Sequence, residues 1–219
     1  MSLNADSNIY LWETSGADEY IQSINDQKYD KWFKSSKSRP PLEGNYESPI
    51  PTNCCFNATD LNQLICGFND STLTIYDLNK NMFHSIIKTF KQDGRQDLLT
   101  ADYQSNCLIS SSTVPIIYAG FEDSTIKTVD LRTESVTNSL TAHSDAVTSL
   151  NLINDIYLLS TSHDTKIKMW DIRYMNQPIQ EAIGSQKKWD EAMWHSTLIQ
   201  NQLILATAGA DSVIKLFKL

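Results

Sequence analysis

Ala142-His-Ser-Asp-Ala-Val-Thr-Ser-Leu150, Ile156-Tyr-Leu-Leu-Ser-Thr-Ser162 and Lys166-Ile-Lys-Met-Trp170 are three short runs rich in aliphatic, β-branched and hydroxyl residues. Turn residues separate them, Asn154-Asp155 after the first and His163-Asp164 after the second. Runs of this length and composition, closely spaced, read as consecutive antiparallel strands. The last turn opens a pattern, Asp-[Ser/Thr]-x-[Ile/Leu]-x-x-[aromatic or Val], which recurs from Asp6, Asp70, Asp123, Asp164 and Asp211 with constant internal spacing. It ends at Trp12, Tyr76, Val129, Trp170 and Phe217, respectively. Successive aspartates lie 64, 53, 41 and 47 residues apart, so the chain is an array of similar β units with insertions. Function in such an array is expected on its surfaces.

The composition agrees with a soluble globular class: 219 residues, 41% hydrophobic and 20% charged. A net charge of −8 opposes binding to nucleic acid by broad phosphate neutralisation. There is no run of about 18 apolar residues, and Met1-Ser-Leu-Asn-Ala-Asp6 lacks the order of a signal peptide. A cytosolic or nuclear protein without membrane insertion is expected. Cys54, Cys55, Cys66 and Cys107 lack metal-ligand spacing and read as buried free thiols. No GxGxxG or GxxxxGK[ST] loop occurs, so no cofactor is expected.

Along the chain, residues 1–15 hold half a unit, 16–50 an insertion, and 51–90, 95–140, 141–183 and 190–219 four further units, the last without its outer strand. The insertion carries Trp32-Phe33, a basic stretch from Lys34 to Arg39, and Pro40, Pro41, Pro49 and Pro51. Proline at this density opposes ladder pairing, so the segment reads as a surface linker. The other reading is a partner-binding loop anchored by Trp32 and Phe33. Asp18, Glu19, Asp26 and Asp30 read as a solvated acidic face.

His143, Ser162 and Asp164 are the residue types of a nucleophilic triad. A structural role fits better. The turn aspartate recurs in five units where the histidine does not, and the indole N–H of Trp170 completes a hydrogen-bonded network of His143, Ser162, Asp164 and Trp170 within one unit. Val129 and Phe217 cannot donate at the tryptophan position, so their units are expected to rely on packing and to be softer.

The repeat resembles WD40 proteins over nearly the whole chain, with Trp170-Asp171 as the family's dipeptide. The resemblance implies an all-β WD40 β-propeller, here an incomplete arc of about four to five blades of a ring of about seven. Ala142–Leu150, Ser160–Asp164, Lys168–Asp171, Gln180-Glu181, Lys187–Ala192, Ala208–Asp211 and Ile214–Phe217 resemble the closing blades of striatins. Divergence over 16–50 and 77–115 resembles the fungal, Far-type branch. The resemblance implies a non-enzymatic scaffold joining phosphatase 2A subunits to kinases and adaptors, a STRIPAK-type assembly on cytoplasmic faces of endoplasmic reticulum or Golgi membranes. For the fungal branch it implies a role in pheromone-induced cell-cycle arrest. The family's upstream coiled coil and early blades have no counterpart in these residues, so the expectation is a fragment whose open edges are covered by the rest of its own chain. The alternative is a substrate receptor of a cullin ubiquitin ligase, because Leu158–Arg173 resembles a WDxR box in which Arg173 would meet the adaptor.

Overall fold

The computed structural model describes residues 2–3, 8–12, 33–38, 49–80, 82–89, 103–186, 193–199 and 203–219, and every regular element among them is a β-strand. They fall into two compact units, Met1–Pro51 and Thr52–Leu219. In the first, β1 (Ser2–Leu3), β2 (Asn8–Trp12) and β3 (Phe33–Ser38) form one antiparallel sheet in sequence order. Tyr10 faces both Ser2 and Ser36 in that ladder. The basic stretch that reads as linker from its composition therefore contributes a strand ahead of the prolines. Phe33–Ser38 contains no proline, and nothing in that hexapeptide forbids a ladder.

The second unit comprises four sheets in chain order. The first holds β4 (Pro51–Phe56), β5 (Gln63–Phe68), β6 (Thr72–Asp77) and β7 (Met82–Lys88). The second holds β8 (Ser105–Ser110), β9 (Ile116–Phe121), β10 (Thr125–Asp130) and β11 (Ser135–Thr141). The third holds β12 (Val147–Ile153), β13 (Tyr157–Ser162), β14 (Lys166–Asp171) and β15 (Gln180–Ile183). The fourth has three strands, β16 (Met193–Ile199), β17 (Ile204–Gly209) and β18 (Ile214–Lys218).

Burial follows position within each sheet. The second strands β5, β9 and β13 are almost continuously buried, as expected where both faces meet a neighbouring sheet. The outer strands β7 and β11 are largely exposed, and β15 wholly so. Apolar side chains interdigitate between sheets: Ile65, Leu73, Ile75 and Ile87 pack on Ile117, Ala119, Phe121 and Val129, and Tyr118 and Ile126 pack on Val147, Leu158 and Trp170. Each fully buried side chain of this size contributes about 1.5–3 kcal/mol.

Inner strands are also tied by polar bonds. Asn53 Nδ2 donates to Ser105 Oγ at 3.0 Å, Asn106 Nδ2 to the Val147 carbonyl at 3.0 Å, and Asn151 Nδ2 to Ser196 Oγ at 2.8 Å. Gly120 marks a close approach between sheets. A Cβ placed there would lie 2.6 Å from both Cys107 Sγ and Val147 Cγ1, so a side chain is excluded by space.

The repeated turn has a local cause. In four turns the residue after the aspartate is left-handed, with φ of 57° at Ser71, 66° at Ser124, 75° at Thr165 and 62° at Ser212. The aspartate Oδ1 accepts the N–H two residues on, at 3.3 Å for Thr72, 3.1 Å for Thr125, 2.9 Å for Lys166 and 3.2 Å for Val213. That bond helps to hold the non-glycine residue between them in a conformation it would otherwise avoid.

Candidate functional site

The loop from β11 to β12 delivers His143, mid-β13 delivers Ser160, the β13–β14 turn delivers Asp164, and β14 delivers Trp170. His143 Nδ1 lies 2.9 Å from Asp164 Oδ2, its Nε2 lies 2.7 Å from Ser160 Oγ, and Trp170 Nε1 donates to that same hydroxyl at 2.9 Å. A neutral imidazole protonated at Nδ1 satisfies every contact: indole N–H to serine, serine O–H to Nε2, and Nδ1–H to the carboxylate. Asp164 also accepts from the N–H groups of Ser144 and Lys166. Burial pushes the Asp164 carboxyl up, but the His143 contact and the two backbone donors outweigh it and hold the group well below the usual carboxylate range.

The hydroxyl in this relay is Ser160, not Ser162. Ser162 instead donates to the Asp145 carbonyl and accepts the Asp164 N–H, both at 3.0 Å, bracing the turn. Both serines point to the same side of β13, and only the cross-strand register, Leu158 opposite Trp170, decides which one meets the indole. Ser160 therefore carried too weak a signal to be found from sequence. Although Ser160, His143 and Asp164 stand in the order of a nucleophilic triad, Ser160 is 0% exposed and the His143 side chain is likewise 0% exposed. The hydroxyl faces an indole, with no room for a substrate carbonyl.

The other turn aspartates do related work. Asp211 joins the Val213 N–H, the Gln186 N–H at 3.1 Å and the Lys215 ammonium at 3.2 Å, and the Gln186 N–H foremost holds its carboxyl at about 2. Asp70 and Asp123 each accept their own Thr72 or Thr125 hydroxyl at 2.5 Å. At the tryptophan position, Tyr76 and Val129 are buried, and Tyr76 meets Phe83 edge to face with centroids 5.2 Å apart. Asp6 and Trp32 lie outside the described residues, as do 187–192; Phe33 begins β3, and its side chain is not described.

Arg173 is clamped by Asp171, with Nε to Oδ1 at 2.8 Å and Nη2 to Oδ2 at 2.5 Å, while its side chain is 63% exposed. Those bonds hold the Asp171 carboxyl at about 2. Arg132 repeats the arrangement on Asp130 in the preceding sheet, at 3.1 and 2.7 Å. The Asp-x-Arg pair thus serves first as a turn brace. No disulfide links the four cysteines, and burial pushes the thiols of Cys54 to about 11 and of Cys55 and Cys107 to about 12, so they stay protonated. Among the described residues no cluster of His, Cys, Asp or Glu could hold a metal, and no helix is long and apolar enough to cross a membrane.

Residues 134–171, which contain the His143–Ser160–Asp164–Trp170 cluster, match the model of the family described as WD domain, G-beta repeat. The chain also superposes on a chain of the "Crystal Structure of Mitotic Checkpoint Complex" with a TM-score of 0.72, covering 97% of this chain and 55% of that one at 18% identity. The fold is that of a WD40 propeller. A second likeness, to "Structure of U3-55K", has a TM-score of 0.65 and covers 100% of this chain and 54% of the other at 16% identity.

In sequence the WD40 blades are striatin-like. Human Striatin-3 is 33% identical over 175 residues, which is 80% of this chain and 21% of Striatin-3. The striatin homolog of Dictyostelium discoideum is 28% identical over 222 residues, covering 99% of this chain and 24% of its own length. Mouse striatin is 27% identical over 219 residues, covering 99% and 25%. The chain spans about a fifth to a quarter of the length of these relatives.

Proposed function

We propose that this chain is the blade array of a non-catalytic, striatin-like scaffold that brings a phosphatase 2A together with kinases and adaptors. The observation that carries the reading is the 28% identity that runs along 99% of the chain to a striatin homolog. The architecture suits the role. Four blades are braced by hydrogen bonds at their own turn aspartates, which leaves loops and outer strands free to vary and to bind. A place in a fungal Far-type assembly, acting in pheromone-induced arrest at endoplasmic reticulum or Golgi membranes, is the finer form of this proposal. It draws on the divergent segments 16–50 and 77–115.

The test is affinity purification of the native full-length protein followed by mass spectrometry. Recovery of phosphatase 2A subunits with kinase adaptors is the expected result. Recovery of a cullin and its adaptor instead, lost in an Arg173→Ala variant, would replace the scaffold with a ligase receptor.

A further inference from the structure

A pocket of about 760 Å³ opens between the outer strands β7 and β11, lined among others by Lys88, Thr89, Asp123, Lys127, Asn138 and Ser139. Its size lies within the range of about 300–1,000 Å³ usual for ligand sites. Lys127 is the unusual member. The repeat places a lysine four residues after the turn aspartate in three blades, Lys127, Lys168 and Lys215. Lys168 donates to the Ala142 carbonyl at 2.7 Å, and Lys215 lies 3.2 Å from Asp211. Lys127 makes the same ion pair as Lys215, but a longer one. Its side chain is only 8% exposed, its Nζ stands 3.9 Å from Asp123 Oδ2 and 4.2 Å from the Phe121 ring centroid, and it makes no hydrogen bond to a described residue.

An ammonium has three donors and no acceptor capacity, and one long ion pair leaves most of that donor capacity unused in a buried place. Burial accordingly pushes the Lys127 pKa down, against the opposing pull of Asp123. The remaining polar groups of the pocket are complementary to an acceptor. Ser139 lies directly opposite Lys127 across the β10–β11 ladder, Asn138 stands beside it, and Lys88 adds a second cation from the neighbouring sheet. Asp123 already spends Oδ1 on the N–H and hydroxyl of Thr125. Two lysines against one engaged carboxylate leave the lining net positive in a chain whose formal charge is −8. Donors converging from separate strands fit a tetrahedral group with several acceptor oxygens better than a planar carboxylate, which matches the flat fork of arginine.

We propose that this pocket binds a phosphoryl group, free or carried on a polypeptide side chain, with Lys127 as its principal contact and Lys88 as its second. The site is independent of the scaffold reading above.

The test uses the full chain with lysines reductively methylated with ¹³C, followed by NMR during additions of inorganic phosphate. The Lys127 and Lys88 signals should move saturably, and the Lys88 movement should vanish in Lys127→Met, which keeps the aliphatic stem over Phe121; circular dichroism checks that this variant folds. A phosphoserine peptide saturating at lower concentration than phosphate would assign the group to a polypeptide, and the reverse order would assign it to free phosphate. Broadening of the phosphate ³¹P signal by unmodified protein, lost in Lys127→Met, reads the same contact without methylation. Shifts that are linear and common to all lysines, or an equal response to acetate, would overturn the proposal.

Discussion

Replacing Ser160 by alanine is the sharpest perturbation of the buried relay. The hydroxyl accepts from Trp170 Nε1 at 2.9 Å and donates to His143 Nε2 at 2.7 Å, at a residue with 0% exposure. Alanine fits the space but strands two polar atoms that water does not reach. Each stranded group costs about 1–3 kcal/mol, so Ser160→Ala should lose about 2–6 kcal/mol. That is a large share of the roughly 5–15 kcal/mol that holds a folded domain. Urea unfolding followed by far-ultraviolet circular dichroism measures the loss. In the double variant Ser160→Ala/Trp170→Phe the indole N–H is gone and only Nε2 remains stranded, so the combined cost should fall short of the sum by about 1 kcal/mol or more. A Ser160→Ala protein within about 0.5 kcal/mol of wild type, or strict additivity in the double variant, would refute the relay.

Gly120→Ala should cost about 1–3 kcal/mol in the same unfolding assay, because the new methyl group meets Cys107 on the adjacent strand and Val147 of the next sheet. Acid should weaken the fold through the turn aspartates. The folded-state carboxyls of Asp130, Asp171 and Asp211 sit at about 2, and that of Asp164 also sits well below the ordinary range. Their contribution is complete above the unfolded value of about 3.9 and drains away as pH falls toward the folded values. Stability measured in urea should accordingly fall below about pH 4, and a flat profile would contradict the bonding described. Arg173→Ala should leave stability within about 1 kcal/mol of wild type, since an ion pair this exposed is worth little, while any docking that depends on it should be lost in a pull-down. Amide exchange should be faster around Val129 and Phe217 than around Trp170, because packing alone holds the first two positions.

Much of the architecture is legible in the chain because its causes are local. The left-handed serine or threonine at each turn is held by the aspartate one residue before it, so Asp70, Asp123, Asp164 and Asp211 announce their hairpins without reference to anything distant. Strands β13 and β14 follow from runs of aliphatic and hydroxyl residues between those turns. The same local reading underestimated residues 33–38, where nearby prolines outweighed a hexapeptide able to pair with β2.

What needed the tertiary structure were the facts set by register and by contact between sheets. Ser160 and Ser162 are alike in type and face, and only the pairing of β13 with β14 selects Ser160 for the indole and leaves Ser162 to brace the turn. Lys127 and Lys168 hold equivalent places in the repeat, yet one finds the Ala142 carbonyl and the other faces a pocket. Hairpins are decided by bonds spanning two or three residues, which a sequence displays. The partner of a buried polar group is decided by which sheet packs against it, a consequence of the chain folded as a whole.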